Sequence, residues 1–494
     1  MLCSLIRWPR RSNKLGARMS PIQWEVELRR VDGGGECQVV GLGKLRRPDA
    51  SRATVSDFGI SLAEARALLG VLQQAVTQQQ VLAYDAAKRR CPHCGRFRRI
   101  KDWRSRVFVT ALGVVHIRVP RVVACMCLPE PLDENGDIAP FRESVCPIAK
   151  FLPARITPEV SYLCARDGAQ MPYRSAAKHI GELCGIPKLS HMCVRRQTIG
   201  VGQDIEDREV EAGWLAATHT SRSADRLGLA IDSTVVTGNA LEETTKIEVV
   251  AGRIIRDGHC GRRFACVTLR RSLTSMLVAA ALKNSGWHAG TEVDVVNDGA
   301  QGMRSLVTDV VPHVATPMLD WFHLAMKLHA VKTSLFASTF EPAPAILQRC
   351  RRLWAKIRDA LWRGRAALGI ELTRTLEASL AEAAPLMKPF YASTTMTAVG
   401  ATLRLRAFLE NNAPILVDYA KARQQGRRIS TAPAESVMNH VVNRRMSKRQ
   451  QMRWSVKGAH LLLQTRVSLL DGCLLGHFKL HFPHFRSPEF STGA

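Results

Sequence analysis

Asp232 ends the apolar run LGLAID, and Asp298 ends EVDVVND. A carboxylate at the C-terminal end of an apolar strand is held rigid from behind and opens onto the crevice where open sheets place their ligands. Mg2+ takes few protein carboxylates and keeps positions for water and phosphate oxygens. Two such ions about 4 Å apart activate the attacking oxygen and stabilise the leaving oxygen of an in-line displacement at phosphorus. Hydrolysis by water and strand transfer by a 3′-hydroxyl are both open to that chemistry. A single Asp at a strand end is ordinarily a turn former; two at corresponding positions of one sheet favour a site. Asp294 competes locally, because its even spacing from Asp298 puts both side chains on one face of the strand.

The third acid lies far downstream. Ser430, Thr431 and Pro433 start a helix through SVMNHVVNRRM, and Glu435 stands in its first turn. Glu435, Met438, Asn439 and Val442 fall on one face, so Glu435 can enter a site while Met438 and Val442 pack. Alone, Glu435 would be a first-turn acid favoured by the helix dipole. Between 421 and 457, however, it is the sole acid among ten Lys and Arg. That setting suits a metal ligand beside a DNA channel, with Arg444, Arg445, Lys448, Arg449, Arg453 and Lys457 facing phosphates and Trp454 stacking. The alternative is a solvated basic helix pair.

A second kind of chemistry is written in cysteines. Cys91-Pro92-His93-Cys94-Gly95 and Cys125-Met126-Cys127 bracket residues 95–124. Four thiolates suit tetrahedral Zn2+, and the glycine after CxxC permits the tight turn that aims both sulfurs at one ion. VFVT (107–110) and VVHIRV (114–119) flank Ala-Leu-Gly and predict a hairpin, the body of a zinc ribbon. His93 could replace one cysteine, and unrelated cysteine pairs are the plain alternative. Arg96, Arg98, Arg99, Lys101, Arg104 and Arg106, with Phe97 and Trp103, make this module a DNA contact. The other ten of the fourteen cysteines are scattered and read as small buried hydrophobes.

The elements that must position these groups follow from periodicity. Residues 22–45 predict a strand pair turning at 32–35. Ser61 and Glu64 form a capping box that opens a helix to about Arg89, with an apolar stripe of Leu62, Ala65, Leu69, Leu72 and Val76 expected to meet a partner helix. A turn-rich stretch at 129–137 marks a boundary. From 157 to 200 the pattern is helical and broken at Pro172 and Pro187. Ala176, Ile180 and Leu183 line one face, Gly185 turns, and Ser190 caps the next helix; the layout is that of a helix-turn-helix or an ordinary helical hairpin. Residues 227–233, 245–252 and 262–270 predict three strands, followed by a helix at 272–285, a strand at 292–298, a short helix near 301–310 and a strand at 314–320. That succession fits a mixed sheet with helices on its faces. From 335 to 425 only helical patterns remain.

Composition sets the partner class. Lys and Arg number 70 against 43 Asp and Glu, a formal net charge of +27. Such an excess favours a polyanion, since each phosphate contact releases counterions. No apolar run of about 20 residues predicts a membrane span, and MLCSLIRWPRRSNK lacks the continuous apolar run of a signal peptide. Residues 1–18 read as a disordered arm or as preceding the true start at Met19. A cytoplasmic, nucleoid-associated protein is expected.

With these residues in view, the chain resembles bacterial insertion-sequence transposases of the DDE class, most closely the ISKra group. The resemblance runs in order over roughly residues 60–470, through CPHCGRFRR (91–99), TALGVVHIRVPRV (110–122), DWFHLAMKL (320–328), LWRGR (361–365) and, most specifically, 434–466. It implies an α/β fold with an RNase H-like mixed-sheet catalytic core, interrupted by an all-helical insertion and preceded by the zinc ribbon and the helix-turn-helix-like region. It also implies catalytic roles for Asp232, Asp298 and Glu435 with Mg2+ or Mn2+. Asp320-Trp321-Phe322-His323 is similar to the [C/D]xxH motif of Mutator-like relatives, which makes His323 a candidate for positioning DNA or water. The CxC half of the ribbon and the N-terminal extension depart from the pattern. The expected organisation is 1–90 strand pair and helix, 91–145 ribbon, 146–215 helical DNA-binding region, 220–334 and 425–475 the two parts of the core, 335–424 the insertion, and 476–494 a tail. The implied activity is cleavage of double-stranded DNA at the element's terminal inverted repeats and joining to target DNA by a homo-oligomer. A catalytically silent DNA-binding descendant and a nuclease that does not join are the alternatives.

Overall fold

The computed structural model describes residues 22–31, 37–49, 52–91, 93–125, 127, 144–150, 155–215, 224–239, 245–256, 259–268, 271–288, 290–300, 306, 309–310, 315–336, 344–383, 389–447 and 452–486. The turn at 32–35, the boundary at 129–137 and most of the short helix near 301–310 fall outside them. The chain divides into two compact units. One comprises Met1–Asp167, Tyr173–Arg195 and Phe478–Ala494; the other comprises Gly168–Pro172 and Arg196–His477. No described helix is long and apolar enough to cross a membrane.

In the first unit, β1 (Ile22–Val31) and β2 (Cys37–Arg47) form the expected antiparallel pair. Helix α1 (Leu62–Lys88) opens on the capping box: the Glu64 N–H donates to Ser61 Oγ, and the Ser61 N–H to Glu64 Oε2. Strands β3 (Ile100–Thr110) and β4 (Gly113–Val123) make a hairpin around Ala111-Leu112, and β5 (Ser144–Val145) pairs only with the end of β4. The remaining free edge of β4 is closed by side chains of α1. Gln74 accepts from the His116 N–H and donates to its carbonyl, and Gln78 does the same at Arg118. Two amides one helical turn apart thus take the place of a neighbouring strand. This orientation corrects the expected stripe. Leu62, Leu69 and Val76 are exposed, while Val81 joins Phe108, Val115, Ile117 and Val119 in the hairpin's core.

Helices α2 (Pro158–Gln170), α3 (Tyr173–Cys184) and α4 (His191–Leu215) follow, broken where Pro172 and Pro187 stand. Ala176 and Ile180 are buried as expected, but Leu183 is exposed and Cys184 is buried instead. The chain turns away at Gly185 (φ 64°), so the face that packs runs through Tyr173, Ala176, Ala177, Ile180 and Cys184. Ser190 Oγ accepts from the Met192 N–H at the start of α4.

The second unit is built on five strands in the order β10-β9-β6-β7-β8. Strands β6 (Arg226–Thr237), β7 (Lys246–Arg256) and β8 (His259–Val267) are antiparallel neighbours. After α5 (Arg271–Asn284), β9 (Glu292–Asn297) returns parallel to β6, and β10 (Ala315–Leu319) lies parallel to β9. The result is a mixed α/β fold. Leu227, Leu229, Ile231, Val293 and Val295 form a core with Leu277, Val278 and Leu282 of α5 on one face. Helix α6 (Trp321–Phe336) leads into α7 (Pro344–Trp362), α8 (Ala366–Ala383) and α9 (Pro389–Asn412), whose apolar faces share one core with Leu324, Leu328, Val331 and Leu335. The short α10 (Tyr419–Gln424) and α11 (Ala432–Val437) bring the chain back to the sheet. Finally α12 (Val456–Leu470) packs on the β7–β8 face through Ala459, Leu462, Leu463 and Val467.

Helix α4 meets α12 at a glycine. A Cβ on Gly202 would stand 2.1 Å from the Leu461 carbonyl oxygen, whereas one on Gly200 would meet nothing within 4 Å. Gly202→Ala is therefore expected to destabilise by about 1–3 kcal/mol through overpacking. Gly200→Ala, two residues away on the same helix, should stabilise by up to about 1 kcal/mol through helix propensity. Urea unfolding of the two variants checks both signs.

Candidate functional site

The sheet's register brings the first two acids together. Parallel pairing of β6 with β9 ends at Ala230 opposite Val296, and carried two residues further the same register sets Asp232 beside Asp298. Asp232 does not close its strand, as the apolar run predicted. Strand β6 continues to Thr237, because antiparallel pairing with β7 persists to Lys246. What ends near Asp232 is the parallel edge alone, so one side of the residue is held by the hairpin and the other is open. The Asp298 carboxylate accepts from the Ala300 N–H in a tight turn just past β9.

Strand β10 adds an acid that the sequence reading leaves without a role of its own. Leu319 pairs with Asn297, and the Asp320 N–H donates to the Asn297 carbonyl, so Asp320 continues the row begun by Asp232 and Asp298. Asp320 is fully buried. Its carboxylate accepts from His323 Nδ1 at 2.6 Å, from the Phe322 N–H at 2.8 Å and from the Thr431 hydroxyl. Burial pushes this carboxyl upward, but those bonds together outweigh it and hold it below the ordinary carboxylate range. The Asp-x-x-His spacing at a helix start is the signal that marks it, since residues three apart share a helix face.

Glu435 joins the group from α11. Its oxygen lies 3.9 Å from His323 Nδ1, and ligand atoms of Asp320, His323 and Glu435 all lie within 4.8 Å of one another. The placement is set by the face behind it: Val437, Met438, Val441 and Val442 are buried against Val236, Ile247, Val249 and Ala251. Met438 and Val442 pack as expected, while Asn439 is exposed. The departure from α-helical periodicity has a cause, for Met438–Asn443 is a π-helical turn whose Arg444 N–H reaches back to Asn439 O. The buried Arg466 side chain locks it, donating to the carbonyls of Val441, His440 and Ala169. Burial and the neighbouring Arg445 and Arg444 hold Arg466 down at about 10.

The electrostatics follow from this crowding. Burial raises the Asp232 carboxyl, and the charges of Asp298 and Glu435 raise it further, against the Ser233 N–H and His323, which lower it. His323 is raised, first by its hydrogen bond to Asp320 and then, against burial, by the charges of Asp320, Asp298 and Glu435. Among the described residues no Lys or Arg pairs with Asp232, Asp298 or Glu435. Asp294, the local competitor, is the contrast: it is buried and clamped by Arg427 at 2.5 Å, which spends its charge within the fold. Asp232, Asp298 and Glu435 thus share one field, but the donor atoms that lie within 4.8 Å of one another are those of Asp320, His323 and Glu435, and neither Asp232 nor Asp298 belongs to such a group among the described residues.

The basic segment behind Glu435 divides by depth. Arg444, Arg453 and Lys457 are exposed, and Lys448 and Arg449 lie outside the described residues. Arg445 and Trp454, expected at a DNA surface, are buried. The Arg445 guanidinium stacks 5.1 Å from the Trp454 ring centroid and donates to the Gly168 carbonyl. Trp454 is drawn in because its backbone extends the sheet, exchanging hydrogen bonds with Thr237 and Asn239.

A separate cluster gathers Cys91, Cys94, Cys125 and Cys127, with all four sulfurs within 4.8 Å. The β3–β4 hairpin carries the two pairs to one end. Gly95, at φ 71°, lets its own N–H return to the Cys91 carbonyl at 2.9 Å. Sulfurs of Cys91 and Cys127 are 3.5 Å apart and those of Cys94 and Cys125 3.4 Å, too far for a disulfide and near the edge of a tetrahedron around an ion bound at about 2.3 Å. Backbone N–H groups of Cys94 and His93 bring the Cys91 thiol down to about 6, whereas sharing with Cys125, Cys94 and Cys91 pushes Cys127 up to about 12. The four cannot all ionise without a cation among them. The cluster can bind a metal such as zinc, and His93 reaches it only through its backbone.

Compared with models of known protein families and with curated proteins, the chain matches none.

Purified protein is expected to carry about one zinc per chain in this cluster. Cys94→Ser should abolish that stoichiometry in elemental analysis and lower the melting temperature. In metal-free protein, His323 should titrate above 6.5, its ordinary value. Its raised value means the ion pair with Asp320 stabilises fully below about 6.5 and is lost as pH rises through the folded value. In Asp320→Asn the largest raising cause is gone, and the His323 titration followed by NMR should fall.

Proposed function

We propose that this protein is a metal-dependent DNA transposase of the DDE class, with Asp232, Asp298 and Glu435 as its catalytic carboxylates. The observation that carries the reading is that Asp232 and Asp298 each lie two residues past the last paired positions of β6 and β9, with Asp232 in the field of both Asp298 and Glu435 and with no Lys or Arg partner among the described residues. Three antiparallel strands followed by two parallel to the first, in the order β10-β9-β6-β7-β8, support an RNase H-like core. The helical bundle of α7–α9 then stands as an insertion between the second and third acids. The four cysteines at the foot of the β3–β4 hairpin support a zinc ribbon, and the break between α3 and α4 supports a helix-turn-helix.

The three carboxylates would hold Mg2+ or Mn2+. Such ions, when bound, supply activation of the attacking oxygen and stabilisation of the leaving oxygen in a phosphoryl transfer. The chain's own residues do the rest. Strand β6 and the β9 turn fix two carboxylates against a rigid sheet, and the locked π-turn fixes the face of α11. With Nδ1 committed to Asp320, His323 keeps Nε2 to exchange a proton with, or donate to, a DNA oxygen or water, and its raised basicity favours the donor form. Asp320 acts through His323 as a positioning residue. Exposed Arg444, Arg453 and Lys457, together with the arginines and the Phe97 and Trp103 rings of the hairpin module, supply phosphate contacts and stacking surfaces.

The test is cleavage and joining of duplexes carrying the element's inverted repeats, in Mg2+ or Mn2+. Asp232→Ala, Asp298→Ala and Glu435→Ala should each abolish cleavage while retaining DNA binding. Asp320→Asn should reduce cleavage by about 10–100-fold, as loss of an orienting partner does. Unchanged cleavage in Asp232→Ala would refute the site, and cleavage without joined product would make the protein a nuclease.

A further inference from the structure

The helical bundle returns to the sheet at the turn that carries Asp298. Two successive bonds shape that turn: Asn297 Oδ1 accepts from the Gly299 N–H and Asp298 Oδ1 from the Ala300 N–H, both at 2.9 Å. Bonds of this kind fix a local bend but give it no backing from the rest of the fold. Asn412, the last residue of α9, supplies the backing. It is buried, and its Nδ2 donates to the Phe408 carbonyl at 2.8 Å, which fixes the carboxamide to its own helix. A Cβ on Gly299 would stand 3.0 Å or less from Oδ1, Cγ and Nδ2 of Asn412. Glycine is thus required there both by the close approach and by its φ of 91°.

The segment after α9 is gripped from two sides. Val417 packs with Val296 of β9 and Met318 of β10, and the Tyr419 hydroxyl donates to the Leu319 carbonyl. Facing the bundle, Asp418 lies against the turn between α7 and α8, where a Cβ on Gly364 would stand 2.7 Å from the Asp418 nitrogen. Residues 412–419 therefore couple the bundle to the strand ends beside Asp298 and Asp320. Of the three carboxylates, Asp298 has most need of such a tie. Asp232 stands within a strand and Glu435 in a helix, whereas Asp298 lies just past the end of β9. A metal ligand must be held to within about 0.5 Å of its productive position. We propose that Asn412 is a positioning residue for the Asp298 carboxylate, through which the helical bundle sets the affinity of that site for a divalent cation. The inference rests on the DDE reading above and adds regulation of the same site.

The test measures Mn2+ binding to the zinc-loaded full-length protein by electron paramagnetic resonance, with melting temperature recorded for each variant. Asn412→Ala should weaken Mn2+ binding by about tenfold, as loss of a group supporting a metal ligand does. Gly299→Ala should weaken it similarly, by pushing the carboxamide away. Adding Asn412→Ala to Gly299→Ala should then cost little more, because the two substitutions break one contact. If Asn412→Ala does not fold, Asn412→Ser serves instead, since its hydroxyl is too short to back the turn. A purely structural Asn412 would lower the melting temperature and leave Mn2+ affinity at the wild-type value. That result, with Asp298→Ala losing Mn2+, would overturn the positioning role and leave the carboxylate reading standing. Wild-type Mn2+ affinity in Asp298→Ala would overturn both.

Discussion

Strand β6 is paired on two sides that do not end together. Along β9 its ladder stops at Ala230, and along β7 it runs on to Thr237. Between those limits the backbone is rigid on one flank and released on the other, and Asp232 occupies that stretch. The turn at Asp298 and the buried Asp320 are set by the same parallel register, and the return of the chain at Glu435 faces the rim so created. Crowding carboxylates in this way is unfavourable by Coulomb's law alone. The fold tolerates it because His323 shares the field and because the sheet supplies the rigidity that the charges would otherwise disrupt.

Around this rim the chain uses its positive charge at two depths. Arg445 and Arg466 are interior cations, spent on main-chain carbonyls and an indole face. Arg444 and Arg453 remain outside. A net charge of +27 therefore overstates what is presented to solvent near Glu435. An arginine buried among carbonyls loses hydration but regains hydrogen bonds, and here those bonds hold a π-turn, a distortion that helices often carry beside functional residues.

Much of this was legible in the residues themselves. Apolar runs of strand length, the Ser61–Glu64 capping box, the proline breaks near 172 and 187 and the paired cysteines are local signals, and the elements formed where they stood. What escaped depends on which strand or helix a segment pairs with. The extension of β6 past Asp232 needs β7 as its partner. The burial of Trp454 needs the sheet edge at Thr237, more than two hundred residues earlier. Residue type misled at Arg445, because a run of arginines reads as a solvated face until one of them finds a carbonyl and a ring inside. Leu183 and Cys184 exchanged places across a single peptide because the turn at Gly185 redirects the chain. Asp320 was visible as the first residue of the Asp-x-x-His spacing, but its role as the buried acceptor of three hydrogen bonds depends on Thr431, more than a hundred residues later.

The glutamines of α1 carry a further implication. A strand edge with unmet N–H and C=O groups is a template on which any extended peptide can add itself. Over His116–Arg118 that template is already filled by Gln74 and Gln78, from a helix that cannot itself propagate a ladder. Growth of the hairpin by accretion of a neighbour's strand is thereby blocked along its middle.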